Sequence, residues 1–128
     1  MSAELGRRID EQLMADWDVP LAWFDVLAAL ARAGGSARPS ELAADLRIVR
    51  SSLSRRLDRL EEEGWVARGR RPTDGDHRAV VIDLTRRGRA LWREMNITYR
   101  RAVQANVSSR LSDGEVAVLT RVLDHLAP

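Results

Sequence analysis

Residues 39–85 read PSELAADLRIVRSSLSRRLDRLEEEGWVARGRRPTDGDHRAVVIDLT, and their spacing decides the fold. Leu53, Leu57 and Leu60 recur at i, i+4 and i+7, the interval at which helical residues share a buried face. That interval predicts a helix over 50–63. Its opposite face carries Ser51, Ser52, Ser54, Arg55 and Arg59. These hydroxyls and guanidiniums can bond phosphates and base edges when a helix lies in the major groove. The acidic run Glu61-Glu62-Glu63 comes only at the C-terminal end, held off the phosphates if the N-terminal half does the docking. Gly64 suits the left-handed position that ends many helices.

A shorter helix precedes this one. Pro39 fits its first position, because the ring fixes a helical φ, and Leu42, Ala43 and Leu46 form its apolar edge. The connection Arg47-Ile48-Val49 lacks the glycine common in helix-turn-helix turns. After Trp65, two stretches suited to strands flank Pro72-Thr73-Asp74-Gly75, a turn composition that predicts a hairpin. Arg70, Arg71 and Arg78 crowd its tip, and a narrow minor groove attracts arginine through its negative potential. Asp76 is expected to hold Arg78 and shape the hairpin, since a carboxylate beside phosphates is repelled. Two helices followed by a basic hairpin are the sequence form of a winged helix-turn-helix. Double-stranded DNA is therefore the expected partner.

The order and spacing of Leu57-Asp58-Arg59-Leu60, Gly64-Trp65-Val66, Asp76-His77-Arg78 and Leu84-Thr85-Arg86-Arg87-Gly88 resemble the multiple antibiotic resistance regulator (MarR) family. The family pattern is an L-x-x-L-x-x-x-G recognition helix, a D-x-R wing, and L-T-x-x-G opening a long helix, and the likeness runs over residues 20–126. It implies a homodimeric transcription regulator, often a repressor, on a pseudo-palindromic operator. Many such proteins leave DNA when a small aromatic anion binds or a cysteine is oxidised. The stretch before Trp17 is shorter than the family's usual first helix, and the wing loop is a residue or two longer.

With 128 residues, 45% of them hydrophobic, the chain reads as one domain, large enough to bury about two thirds of its unfolded surface. The fold class is mostly α with a small β-hairpin: a winged helix-turn-helix core over 20–85, with dimerisation helices over 1–19 and 86–128. All basic residues are arginine, and the net charge is only +2. Their distribution is lopsided. Residues 47–101 hold 15 Arg against 8 Asp and Glu, which gathers positive charge where the helix-turn-helix and wing lie. The absence of cysteine excludes disulfides, thiol redox sensing and cysteine-ligated zinc. No apolar run approaches the ~18 residues of a membrane span, and the start MSAELGRRIDEQL is too charged for a signal peptide. A cytoplasmic protein without a membrane partner is expected.

Ahead of the helix-turn-helix segment, residues 20–33 predict an apolar helix with Trp23, Val26, Leu27 and Leu30 inward, closed by Gly34-Gly35. Residues 3–15 form a weaker amphipathic segment. A long helix from Thr85 to Ser109 carries Leu91, Trp92, Met95, Tyr99 and Val103. Ser112-Asp113-Gly114-Glu115 reads as a capping box, with Val116, Leu119, Val122, Leu123 and Leu126 behind it. Surplus apolar surface on terminal helices suggests a two-fold dimer.

Nothing in the chain argues for an enzyme or a metal site. His77 and His125 lack the spacing of a ligand pair, and no glycine-rich phosphate loop follows a strand; no cofactor is expected. Trp17, Trp23, Phe24, Trp92 and Tyr99 are candidates to line an effector pocket, with Arg7, Arg8 or Arg32 to meet an anion, although core packing explains the same aromatics. The competing function is a winged helix that docks protein and not DNA, which would expose aromatics or leucines on the second helix.

Overall fold

A computed structural model describes residues 3–73, 76–108 and 113–126. The elements in chain order are α1 (Ala3–Trp17), α2 (Leu21–Arg32), β1 (Ser36–Ala37), α3 (Pro39–Leu46), α4 (Arg50–Glu62), β2 (Val66–Thr73), β3 (Asp76–Leu84), α5 (Arg86–Ser108) and α6 (Asp113–Leu126). They fall into two compact units, Ala22–Trp92 and Met1–Leu21 with Arg93–Pro128.

In the Ala22–Trp92 unit the leucine stripe of α4 is inside: Leu53, Leu57 and Leu60 are at most 2% exposed. Val26, Leu27 and Leu30 of α2, Leu42 and Ala43 of α3, and Val81, Ile82 and Leu84 of β3 are buried with them. Pro39 occupies the first turn of α3, and Gly64 takes φ +78° after α4, both as the sequence predicts. The glycine-free connection is made by Arg47, whose φ of +56° puts an L-residue in the left-handed region. The hairpin gains a third strand that the sequence did not announce, in the antiparallel order β1-β3-β2. Two residues are too short for periodicity to register.

The L-T-x-x-G segment acts as a rivet. Thr85 Oγ1 donates to the Gly64 carbonyl at 2.7 Å and accepts the Gly88 N–H at 3.0 Å, capping α5. Its backbone N–H donates to the Trp65 carbonyl at 3.1 Å. A Cβ on Gly88 would collide with that Trp65 carbonyl. Glycine is therefore required where α5 passes the chain leaving α4.

In the second unit, Ile9 and Leu13 of α1, Val19, and Met95, Ala102 and Val103 of α5 are buried. Side chains cross-link its helices: Trp17 Nε1 donates to Thr98 Oγ1 at 3.0 Å, Arg8 Nη1 to Asn106 Oδ1 at 3.3 Å, and Gln104 Nε2 to Thr120 Oγ1 at 3.2 Å. Arg100 pairs with Asp124. Val122 and Leu126 of α6 are 48% and 58% exposed, surplus apolar surface of the kind the sequence puts on the terminal helices. Ser112 and the Val116 side chain lie outside the described residues. Among the described residues, no helix is long and apolar enough to cross a membrane.

Candidate nucleic-acid interface

Burial of the leucines turns the polar side of α4 outward. Ser51, Ser54, Arg55 and Arg59 are exposed and Ser52 half-buried. Arg55 Nη2 lies 3.4 Å from Ser52 Oγ, a weak contact that leaves the guanidinium free to turn. Among the described residues Arg59 makes only a long 3.8 Å side-chain contact, with Glu62, and exposed pairs of that kind contribute little. Arg50 opens the helix, and a cleft of about 370 Å³ beside it is lined by Arg50, Ser51, Ser54 and Arg68 together with Pro39, Leu53, Leu57 and Val80. Arg47 and Arg50 flank the start of α4 and were not singled out in the sequence. Their position at the helix N-terminus, where backbone N–H groups are unpaired, was the available signal.

The wing differs from expectation in detail. Arg70 is exposed, opposite Val80 in the register, and among the described residues has no ion-pair partner. Arg71 is committed elsewhere: its Nη2 donates to Asp83 Oδ2 at 2.6 Å, and Asp83 Oδ1 accepts Ser36 Oγ at 2.5 Å. One residue from each strand thus forms a clamp across the sheet. The Ser36 hydroxyl, followed by the Arg71 guanidinium, holds the Asp83 carboxyl below the usual carboxylate range against a smaller opposing effect of burial. The side chains of Asp76 and Arg78 lie outside the described residues, and with them the expected pair between these two.

Another arginine that no sequence pattern marks organises the base of the wing. Arg68 Nη1 lies 2.9 Å from Asp58 Oδ1 and 3.2 Å from Glu61 Oε1. Its Nη2 donates to the Ser54 carbonyl at 3.3 Å, and its backbone N–H to Glu61 Oε2 at 3.1 Å. On the inner side of α4, Arg56 donates to the Ala22 carbonyl at 3.3 Å. Burial raises the pKa of Asp25 on α2 despite the nearby Arg56 and Arg32.

The aromatic candidates separate. Trp17 and Tyr99 belong to one unit, Trp23, Phe24 and Trp92 to the other. Trp23 stands edge-on to Trp65, with centroids 6.4 Å apart, and Phe24 is a core residue at 2% exposure. Trp92 is buried with no hydrogen-bond partner for Nε1 among the described residues. The anion candidates already face carboxylates: Arg7 meets Glu11, Arg8 meets Glu4 and Arg32 meets Asp45. Among the described residues no group of three or more His, Asp or Glu could hold a metal ion.

Comparison with known proteins agrees with this geometry. Residues 17–79 match the MarR family. The chain is 39% identical to the HTH-type transcriptional regulator PecS of Dickeya dadantii, over 98% of this chain and 77% of that protein. It superposes with a TM-score of 0.75 on a mutant of MarR from Escherichia coli solved with operator DNA, at 30% identity over 98% of this chain and 86% of that one. Sco3205, a MarR family transcriptional regulator from Streptomyces coelicolor solved with DNA, gives a TM-score of 0.75 at 29% identity, covering 96% of this chain and 76% of that one. A helix-turn-helix with a polar outer face, a basic wing and the capped L-T-x-x-G rivet are thus the features of a transcriptional regulator and not of an enzyme, and the chain belongs to the MarR family.

Proposed function

We propose that the protein is a homodimeric, sequence-specific DNA-binding repressor, acting in the cytoplasm. The observation that carries this reading is the sidedness of α4: leucines fully inward, Ser51, Ser54 and Arg55 fully outward. A protein-docking helix would instead expose aromatics or leucines. In this reading the core at 20–85 reads DNA, while 1–19 and 86–128 join two copies. Ser51, Ser52, Ser54, Arg55 and Arg59 meet base edges and adjacent phosphates in the major groove. Arg70, with Arg78, enters or lines the minor groove, and Arg71 joins them only if it leaves Asp83. Asp76 shapes the wing. Arg47 and Arg50 add phosphate contacts.

Duplexes recovered from a randomised pool should be pseudo-palindromes with half-site centres about one helical turn, roughly 34 to 36 Å, apart. A monomer in sedimentation at micromolar concentration, with protection of a single half-site, would defeat the dimer. For the effector, a small aromatic anion is the proposed class. The buried, unpaired Trp92 indole N–H supports it, because such a donor gains a hydrogen bond from an anionic or carbonyl acceptor. A ligand favouring wrongly spaced recognition helices lowers DNA affinity by the same factor that DNA lowers its own. Titrating aromatic acids while following tryptophan fluorescence and DNA binding tests it; no quenching and no shift would leave a repressor controlled by its own abundance.

A further inference from the structure

We infer that Arg68 is a positioning residue for DNA recognition, a latch that fixes the wing at a set angle to α4 without touching DNA itself. This rests on the proposed two-groove reading. A duplex presents its major groove and the adjacent minor groove at a fixed separation, so α4 and the wing must be held at a matching one. Arg68 stands where β2 leaves the body of the unit, two residues before Arg70. Ser54, Asp58 and Glu61, its partners on α4, are spaced i, i+4 and i+7 and so form one stripe beside the buried leucines. The guanidinium reaches both carboxylates and a main-chain carbonyl at once, while the Arg68 N–H adds a fourth bond to Glu61. With 29% of its side chain exposed, it is better shielded than an ordinary surface pair. The planar fork of arginine spreads its donors widely enough to meet acceptors on two turns of a helix from one position; a lysine ammonium, though it has three donors, is a compact point charge that does not span them.

The arrangement also accounts for carboxylates on a helix that faces phosphates. Asp58 and Glu61 would repel DNA, and their presence on this helix makes sense if they hold the wing. This gives a test whose sign separates the two effects. Electrostatics alone predicts that Glu61→Ala tightens DNA binding, because a negative charge is removed. The latch predicts that Glu61→Ala weakens binding to the selected duplex by about tenfold, the order expected when a second contact loses its effective concentration. Binding to a scrambled duplex should stay equal or tighten.

A double-mutant cycle completes the test. With the latch broken by Arg68→Lys, Arg70→Ala should add less than about twofold, whereas Arg55→Ala should keep its full penalty. Full additivity of Arg68→Lys with Arg70→Ala, or tighter selected-duplex binding by Glu61→Ala, overturns the proposal. Amide exchange supplies an arm without DNA: Glu61→Ala should speed exchange at Arg68 and along β2 while α2 and α3 stay protected. Unchanged exchange at Arg68 also overturns the latch, and this arm reads out even if wild-type protein selects no duplex, a result that would instead remove the proposed function.

Discussion

The two compact units solve the problem of their apolar surface differently. Ala22–Trp92 buries most of its leucines and valines, and Val49 is its one exposed large hydrophobic residue among those described. The other unit leaves Met14, Ile97, Val118, Val122 and Leu126 exposed. Val118, Val122 and Leu126 repeat every four residues, one stripe along α6. A unit that closes its own core can present charge to a polymer. A unit that does not is shaped by what covers it, and in the proposed dimer that cover is a second copy.

The largest expected effect breaks this contrast on the open side. Val118→Glu combined with Val122→Glu should turn a dimer into a monomer in sedimentation and lower affinity for a two-half-site duplex at least 100-fold, because linked binding of two half-sites is lost. Helical content should hardly change. A dimer that survives both glutamates would place its interface elsewhere.

Next comes the closed side. Leu57→Ala should cost about 2 to 5 kcal/mol of unfolding free energy, the range for a fully buried leucine. Val122→Ala, tested on monomer, should cost less than about 0.5 kcal/mol, as exposed substitutions do. Equal costs in denaturant titration would erase the distinction between the units. Gly88→Ala should cost about 1 to 3 kcal/mol, since the clash is with the Trp65 backbone and not a movable side chain.

How much of this was legible follows from how local each cause is. The α4 stripe, Pro39 at the start of α3 and left-handed Gly64 are set by neighbours within a turn or two, and they stand where periodicity puts them. The clamp of Ser36, Arg71 and Asp83 joins residues up to 47 positions apart; no local pattern announces it, so Arg71 read simply as a free wing arginine. Arg68 hid for another reason. In an arginine-rich run, nothing local marks the one that turns back onto α4. Val122 and Leu126 had helical spacing without a register to say which stripe faces inward.

The smallest expected effects are electrostatic, and they ask whether the closed unit has also settled its charges. Asp83 and Asp25 should answer with opposite signs. The folded pKa of Asp83 is lowered, chiefly by the Ser36 hydroxyl, so its contribution to stability is present above the unfolded value near 3.9 and is lost as pH falls through the folded value. Asp83→Asn should therefore be less stable than wild type at pH 7, and the gap should close below about pH 4. Asp25 is raised by burial, so the fold favours its protonated form; that contribution is present at low pH and is lost as pH rises through the folded value. Asp25→Asn should then be more stable than wild type at pH 7, and its advantage should vanish on acidification. Thermal melts of the three proteins from pH 3 to 7 would settle both signs. If Asp25→Asn is the less stable at pH 7, attraction to Arg56 and Arg32 outweighs burial, and the carboxylate beneath α4 helps hold the recognition helix in place.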